Sequence, residues 1–325
     1  MNSKRILVVG AGVIGSIYGG RLAENGAEVT FLARGKRLEE LRTMGLRLQR
    51  MDRKNGRKEE EVSPPIRLIE RLSSEDIYDY IFVTLRAEQV MEALPQLAGN
   101  RSETFVFMVN NAWGYEAWEQ VLGRGRVLPA FPGAGGCIER GIVQYNLVQR
   151  CVQPTTLGEV DGTRTPRLRT LQRLLAKAGF PTSIQHNMDA WQKTHLALVV
   201  PMACAIYYDG GDNYSLANNR EALLLTSKSL RENLAFLRRA GIGITPKKIA
   251  VMRYLSPSLM SDLLTNIFAS SWAELFIMGH TLKARGEMLY LAKQFLTLAH
   301  QRGFQLPSLQ TLLAPLAVDS VHEPS

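Results

Sequence analysis

Arg5-Ile6-Leu7-Val8-Val9-Gly10-Ala11-Gly12-Val13-Ile14-Gly15-Ser16 reads as a short apolar strand running into three glycines and then into a helix. The glycines stand at the spacing of a dinucleotide fingerprint, the order that a pyrophosphate resting on a helix N-terminus requires. Gly10 permits the tight turn, Gly12 lets the backbone approach the phosphates, and Gly15 lets helix and strand pack closely, with Ala11, Val13 and Ile14 completing the turn. Ile17 to Asn25 continues as the helix, Gly26 closes it, and Glu28 to Ala33 supplies a second strand at the expected distance. The spacing predicts the first unit of an α/β, Rossmann-type fold with a mostly parallel sheet.

Arg34 comes next. Dinucleotide folds that take NAD place Asp or Glu at the end of the second strand to hold the ribose 2′-hydroxyl, whereas a guanidinium there accommodates a 2′-phosphate. Arg34-Gly35-Lys36-Arg37 contains no acid, which predicts NADP(H) as cofactor. A basic loop after a strand is the plain alternative.

Further strands are predicted over Leu46 to Met51, Ile66 to Ile69, Tyr80 to Leu85, Thr104 to Val109, Val127 to Ala130, Ile142 to Leu147, Thr155 to Leu157 and Thr182 to Ile184. Two of these strands end in polar residues at what would be the carboxyl edge of the sheet, where open α/β folds bind ligands. Arg86, with Gln89, and Asn111 are therefore cofactor-side candidates, against ordinary strand-end polarity. The run Phe131-Pro132-Gly133-Ala134-Gly135-Gly136-Cys137 reads either as backbone passing close to a ligand or as a flexible turn.

From Met188 the pattern changes to long helical periodicity. Helices are expected over Met188 to Tyr207, Asn219 to Ala240, Pro246 to Leu255, Ser258 to Arg285 with a break near Gly279, and Glu287 to Arg302, with a loosely held tail after Pro315. This predicts an NADP-binding domain over 1–185 and an all-helical substrate domain over 186–325, a division that suits a chain of 325 residues, 46% of them hydrophobic.

The net charge of +9 invites a nucleic-acid reading, but the basic residues are dispersed. Their densest cluster, Arg47 to Lys58, runs straight into Glu59-Glu60-Glu61, as a solvated loop or hairpin would. No nucleic-acid motif accompanies it. Three cysteines without metal spacing predict free thiols and no metal. The apolar run after Lys4-Arg5 breaks at the glycines, unlike a signal peptide, and Leu196 to Ile206 is too short to cross a bilayer and contains a proline. A cytoplasmic location is expected. A homodimer is compatible with the sequence, which does not itself indicate one.

Taken together, Gly10 to Gly15, Arg34, Thr84-Leu85-Arg86-Ala87-Glu88-Gln89, Asn110-Asn111-Ala112, Trp191-Gln192-Lys193, Glu287 and the closing Gly303-Phe304-Gln305-Leu306-Pro307 resemble the ketopantoate reductase (2-dehydropantoate 2-reductase) family. The resemblance implies a Rossmann domain joined to a helical domain, a role in pantothenate biosynthesis, and hydride transfer from NADPH to a ketone. It implies Lys193 as the group that stabilises and protonates the ketone oxygen, a task suited to an ammonium. It also implies Asn111 at the nicotinamide side and Glu287 at the cofactor and substrate.

The departures from the family pattern concern the substrate. Arg86 stands where the family has lysine, and Ala112 where it has glycine. The two asparagines that follow the lysine at helical spacing and hold the substrate in the family are here Ala197 and Pro201. The expected pocket wall therefore includes Ala197, Pro201 and Tyr207 and is more apolar, with Asn213 as a candidate replacement for the lost polarity. The partner expected is a small 2-oxo acid or related ketone. The alternative is a catalytically weak NADP(H)-binding protein that senses cofactor or engages a partner.

Overall fold

The computed structural model describes residues 3–51 and 58–318; residues 52–57, within the basic cluster, and the end of the tail, 319–325, lie outside the described residues. The chain forms two compact units. One contains residues up to Val109 and Tyr115–Met188; the other contains Asn110–Gly114 and Asp189 onward.

The first unit runs β1 (Arg5–Val9), α1 (Val13–Glu24), β2 (Glu28–Leu32), α2 (Gly35–Met44), β3 (Arg47–Met51), β4 (Lys58–Val62), β5 (Arg67–Ile69), β6 (Tyr80–Val83) and α3 (Val90–Ala98). It continues through β7 (Phe105–Met108), α4 (Glu116–Leu122), β8 (Val127–Phe131), β9 (Ala134–Glu139), β10 (Ile142–Leu147), β11 (Thr155–Leu157), α5 (Pro166–Lys177) and β12 (Thr182–Ile184). Eight strands form one sheet in the order β12-β11-β8-β7-β6-β1-β2-β5. All its neighbours are parallel except β8 and β11. Its central strands are apolar without alternation and fully buried at Ile6, Leu7, Val8, Ile81, Phe82, Val83, Phe105, Val106 and Phe107, as a parallel sheet covered on both faces requires.

A second sheet, β4-β3-β10-β9, corrects the reading of the glycine-rich run. Gly133 to Cys137 is not a flexible turn; most of it is β9, paired antiparallel with β10. A Cβ on Gly136 would fall 2.0 Å from the Gln144 carbonyl oxygen, and one on Gly133 2.3 Å from the Thr155 nitrogen. Those glycines serve contacts between backbones. The acidic end of the basic cluster is the second arm of a hairpin, where Arg47 is bonded to Glu61 across β3 and β4.

The second unit is α6 (Met188–Tyr208), α7 (Asn213–Asn218), α8 (Arg220–Arg239), α9 (Lys247–Ala250), α10 (Pro257–Phe268), α11 (Ser271–Ala273), α12 (Gly279–Lys283), α13 (Arg285–Gln301) and α14 (Pro307–Val318). The expected helix from Ser258 to Arg285 breaks earlier than Gly279. It ends at Ala269, and Ser270 accepts a hydrogen bond from the Ala273 N–H at 3.2 Å, restarting the chain with a new cap. Pro246 to Leu255 is one short helix followed by a 3-10 turn. The chain past Pro315 continues as helix to Val318.

Pro201 lies inside α6. Proline lacks an N–H, so the carbonyl four residues back, that of Ala197, loses its helical partner. Asn233 on α8 supplies a replacement, its Nδ2 donating to the Ala197 oxygen at 3.0 Å. Asn233→Leu is expected to lower stability by about 1–3 kcal/mol, the cost of an unmet buried carbonyl. In a Pro201→Ala background, where the helix regains the missing N–H, the same substitution should cost less. Denaturant melts of the double-mutant cycle check this, and equal costs in both backgrounds would show that Asn233 does not serve Pro201.

Candidate active site

In the first unit, β1 has β2 on one side and β6 on the other, so the winding of the sheet reverses there and leaves a crevice at the carboxyl ends of β1 and β6. Gly10, with φ +100°, turns the chain out of β1. Thr84, just past β6, ties the two strand ends together: its N–H donates to the Val9 oxygen at 2.9 Å and its Oγ1 to the Gly10 oxygen at 2.8 Å. A Cβ on Gly15 would lie 2.0 Å from the Gly10 oxygen and 2.6 Å from Thr84 Oγ1, whereas one on Gly12 meets nothing within 4 Å. Gly15 is thus demanded by the fold and Gly12 leaves open backbone at the start of α1. That helix has no side-chain cap and no acid in its first turn, an end suited to an anion. The residues from Gly10 to Gly15 fit a dinucleotide pyrophosphate.

Arg34 is exposed at the start of α2 and donates to Gln96 of α3. Arg37, one turn further on, reaches the glycine turn itself: its Nε donates to the Ala11 oxygen at 3.0 Å and its Nη2 to Ser16 Oγ at 3.3 Å, with Glu40 3.0 Å from Nη1. The sequence reading passed over Arg37, although its position three residues after Arg34, on the same side of a helix, was available as a signal. Arg86 is exposed at the end of the β6 segment.

The remaining candidates belong to the second unit. Lys193 on α6 is 7% exposed and its Nζ donates to both carboxylate oxygens of Asp189, at 2.6 and 2.5 Å. Trp191 and His195 stack with ring centroids 5.3 Å apart, four residues apart on another side of the same helix. Asn111 is buried and turns its amide back on its own loop, Nδ2 donating to the Gly114 oxygen and Oδ1 accepting the Trp113 N–H at 2.9 Å. Glu287 is 6% exposed in the first turn of α13.

Asp189, Lys193, Ala197 and Pro201 form one stripe at four-residue spacing along α6. Beyond Lys193 the stripe is packed interior: Ala197 has no exposed surface and Pro201 is buried. Tyr207 donates its hydroxyl to the Thr281 oxygen at 2.5 Å. Asn213 is wholly buried, with Nδ2 donating to the Phe268 oxygen at 2.6 Å and Oδ1 left without a hydrogen-bond partner. Among the described residues no group of three or more His, Cys, Asp or Glu side chains could hold a metal ion, and no helix is long and apolar enough to cross a membrane.

Residues 6–161 match the ketopantoate reductase PanE/ApbA family. These are oxidoreductases. A 2-dehydropantoate 2-reductase of Pyrococcus horikoshii is 25% identical over 189 residues, so that the chain spans 58% of the length of that curated relative. Among solved structures, a ketopantoate reductase homologue from Ralstonia solanacearum superposes with TM-score 0.74 at 20% identity, covering 98% of both chains. A D-mandelate dehydrogenase solved with NADH and anilino(oxo)acetate reaches the same TM-score at 16% identity, over 98% of this chain and all of that one. The ketopantoate reductase fold therefore extends over the helical unit as well as the Rossmann unit.

Proposed function

We propose that the chain is an NADPH-dependent reductase of the ketone of a 2-oxo acid. The observation that carries this reading is Lys193, a nearly buried ammonium on α6 paired with the carboxylate of Asp189. A bound reduced nicotinamide supplies the hydride. Lys193 does the rest of the chemistry: it donates a hydrogen bond to the ketone oxygen, stabilises the negative charge that develops there and passes its proton to the nascent alkoxide, then recovers a proton from solvent. Burial around Lys193 strengthens both effects by excluding water.

Reduction of ketopantoate would place the chain in pantothenate biosynthesis. The replacement of two amides by the packed Ala197 and Pro201 favours a different acceptor, because an apolar pocket discriminates against a substrate with an unpaired hydroxyl by about 10²-fold. We favour 2-oxo acids with aliphatic or aromatic side chains. The same observation supports the second reading, an NADP(H)-binding protein with weak catalysis.

Oxidation of NADPH followed at 340 nm against ketopantoate and a series of apolar 2-oxo acids tests both readings. Turnover that favours the apolar acids supports the altered reductase, turnover of ketopantoate alone supports the inherited activity, and tight NADPH binding without turnover of any of them supports the second reading. For the cofactor, Arg34→Ala is expected to weaken NADPH by about 10- to 100-fold, as the loss of a charged hydrogen bond does, and to leave NADH unchanged. Arg37→Ala, which loosens the glycine turn, should weaken both alike.

A further inference from the structure

We propose that Asp189 is a positioning residue for Lys193, held in place by the loop 110–114, so that the ammonium is fixed in one position from which it donates to the ketone oxygen. The proposal rests on the reductase reading of Lys193. Its basis is a run of contacts inside the second unit. Asp189 sits in the first turn of α6, four residues before Lys193, and both its carboxylate oxygens lie within hydrogen-bond distance of the ammonium. The pair is unequal in exposure: the side chain of Lys193 is 9% exposed and that of Asp189 40%. A helix N-terminus favours the carboxylate, and a buried ammonium requires a partner, so the arrangement satisfies both ends.

The loop fixes the carboxylate from the other side. Gly114 has φ +81°, and a Cβ built on it would come within 3.2 Å of Asp189 Oδ1. The loop therefore lies against the carboxylate. Its shape is set by Asn111, whose amide grips the Gly114 carbonyl and the Trp113 N–H. Asn111, expected from the family resemblance to meet the cofactor, is here bound within this support.

An ammonium on a four-carbon stem is freely rotatable when unpaired, and a general acid misplaced by about 1 Å can cost up to about 100-fold in rate. Asp189 removes that freedom. It also balances the charge of Lys193, so the carboxylate of a 2-oxo acid must find its cation elsewhere.

The test uses the full chain with Asp189→Asn and Asp189→Glu. In Asp189→Asn, kcat for the accepted ketone should fall by about 10- to 100-fold with KM unchanged, the thermal midpoint should drop because the buried ammonium loses its counter-charge, and Asp189→Glu should recover much of both losses. Acylation of Lys193 by a small activated ester, followed by peptide mass spectrometry, should run about tenfold faster in Asp189→Asn, the rate change expected when a charged hydrogen bond no longer holds the amine. A wild-type kcat in Asp189→Asn, a Glu variant no better than the Asn variant, or an unchanged acylation rate overturns the proposal. If the wild-type chain turns over no ketone, the reductase reading fails separately, and the acylation rates alone then decide whether Asp189 holds Lys193.

Discussion

Lys193→Ala is expected to lower kcat for ketone reduction by about 10²- to 10⁴-fold, the usual worth of a positioned general acid, while the affinity for NADPH stays at its wild-type value. The side chain does two things for the reaction: it brings a positive charge to the developing alkoxide and it gives up a proton. Lys193→Arg separates them. A guanidinium keeps the charge but does not release a proton near neutral pH, and its planar fork cannot reproduce the geometry of an ammonium held by Asp189. Turnover lost in both variants assigns the proton to Lys193. Turnover kept in the arginine variant reduces its role to electrostatics, and turnover kept in both removes it from the chemistry. Asp189, left without its partner in the alanine variant, is 40% exposed and can be solvated, so the effect on folding should be small.

The second large effect is at the glycine turn. In Gly15→Ala the new methyl would lie 2.0 Å from the Gly10 carbonyl oxygen, 2.6 Å from Thr84 Oγ1 and 3.0 Å from Val8 Cγ1. The closest of these is backbone and cannot rotate away, so α1 must shift relative to β1, at a cost of about 1–3 kcal/mol for overpacking and with the nucleotide site displaced. Gly12→Ala is the matching control. Its φ of −70° suits any residue and its Cβ meets nothing, so the fold should be indifferent to it. Any loss of NADPH binding there reports the approach of the pyrophosphate to the backbone. Thermal melts and NADPH titrations of the two variants should separate: Gly15→Ala lowers both stability and affinity, Gly12→Ala lowers affinity alone. A Gly15→Ala protein as stable as wild type would contradict the packing described.

Much of this organisation was legible in the chain because its signals are local. The β1 turn, Arg34 and the unbroken apolar strands announce a parallel sheet through glycine spacing and a lack of alternation, and both are properties of short windows. The hairpin of β9 and β10 was not legible, since glycines needed for contact between neighbouring backbones look the same as glycines needed for a turn. The restart at Ser270 was masked by continuous helical periodicity on either side of it. The site divides in the same way. Lys193 stood out through its resemblance to a family motif, yet Asp189, four residues earlier and readable as an i, i+4 pair, carried no motif and was passed over. The part that no local window could show is the use of Asn233 to meet the Ala197 carbonyl, which joins residues 36 positions apart.

That same bond couples two helices through one carbonyl. The oxygen of Ala197, which Pro201 leaves without its helical N–H, accepts its hydrogen bond from Asn233 of α8, so a substitution at either position is felt at the other. The proline of α6 is tolerated because an amide on a neighbouring helix completes its hydrogen bonding.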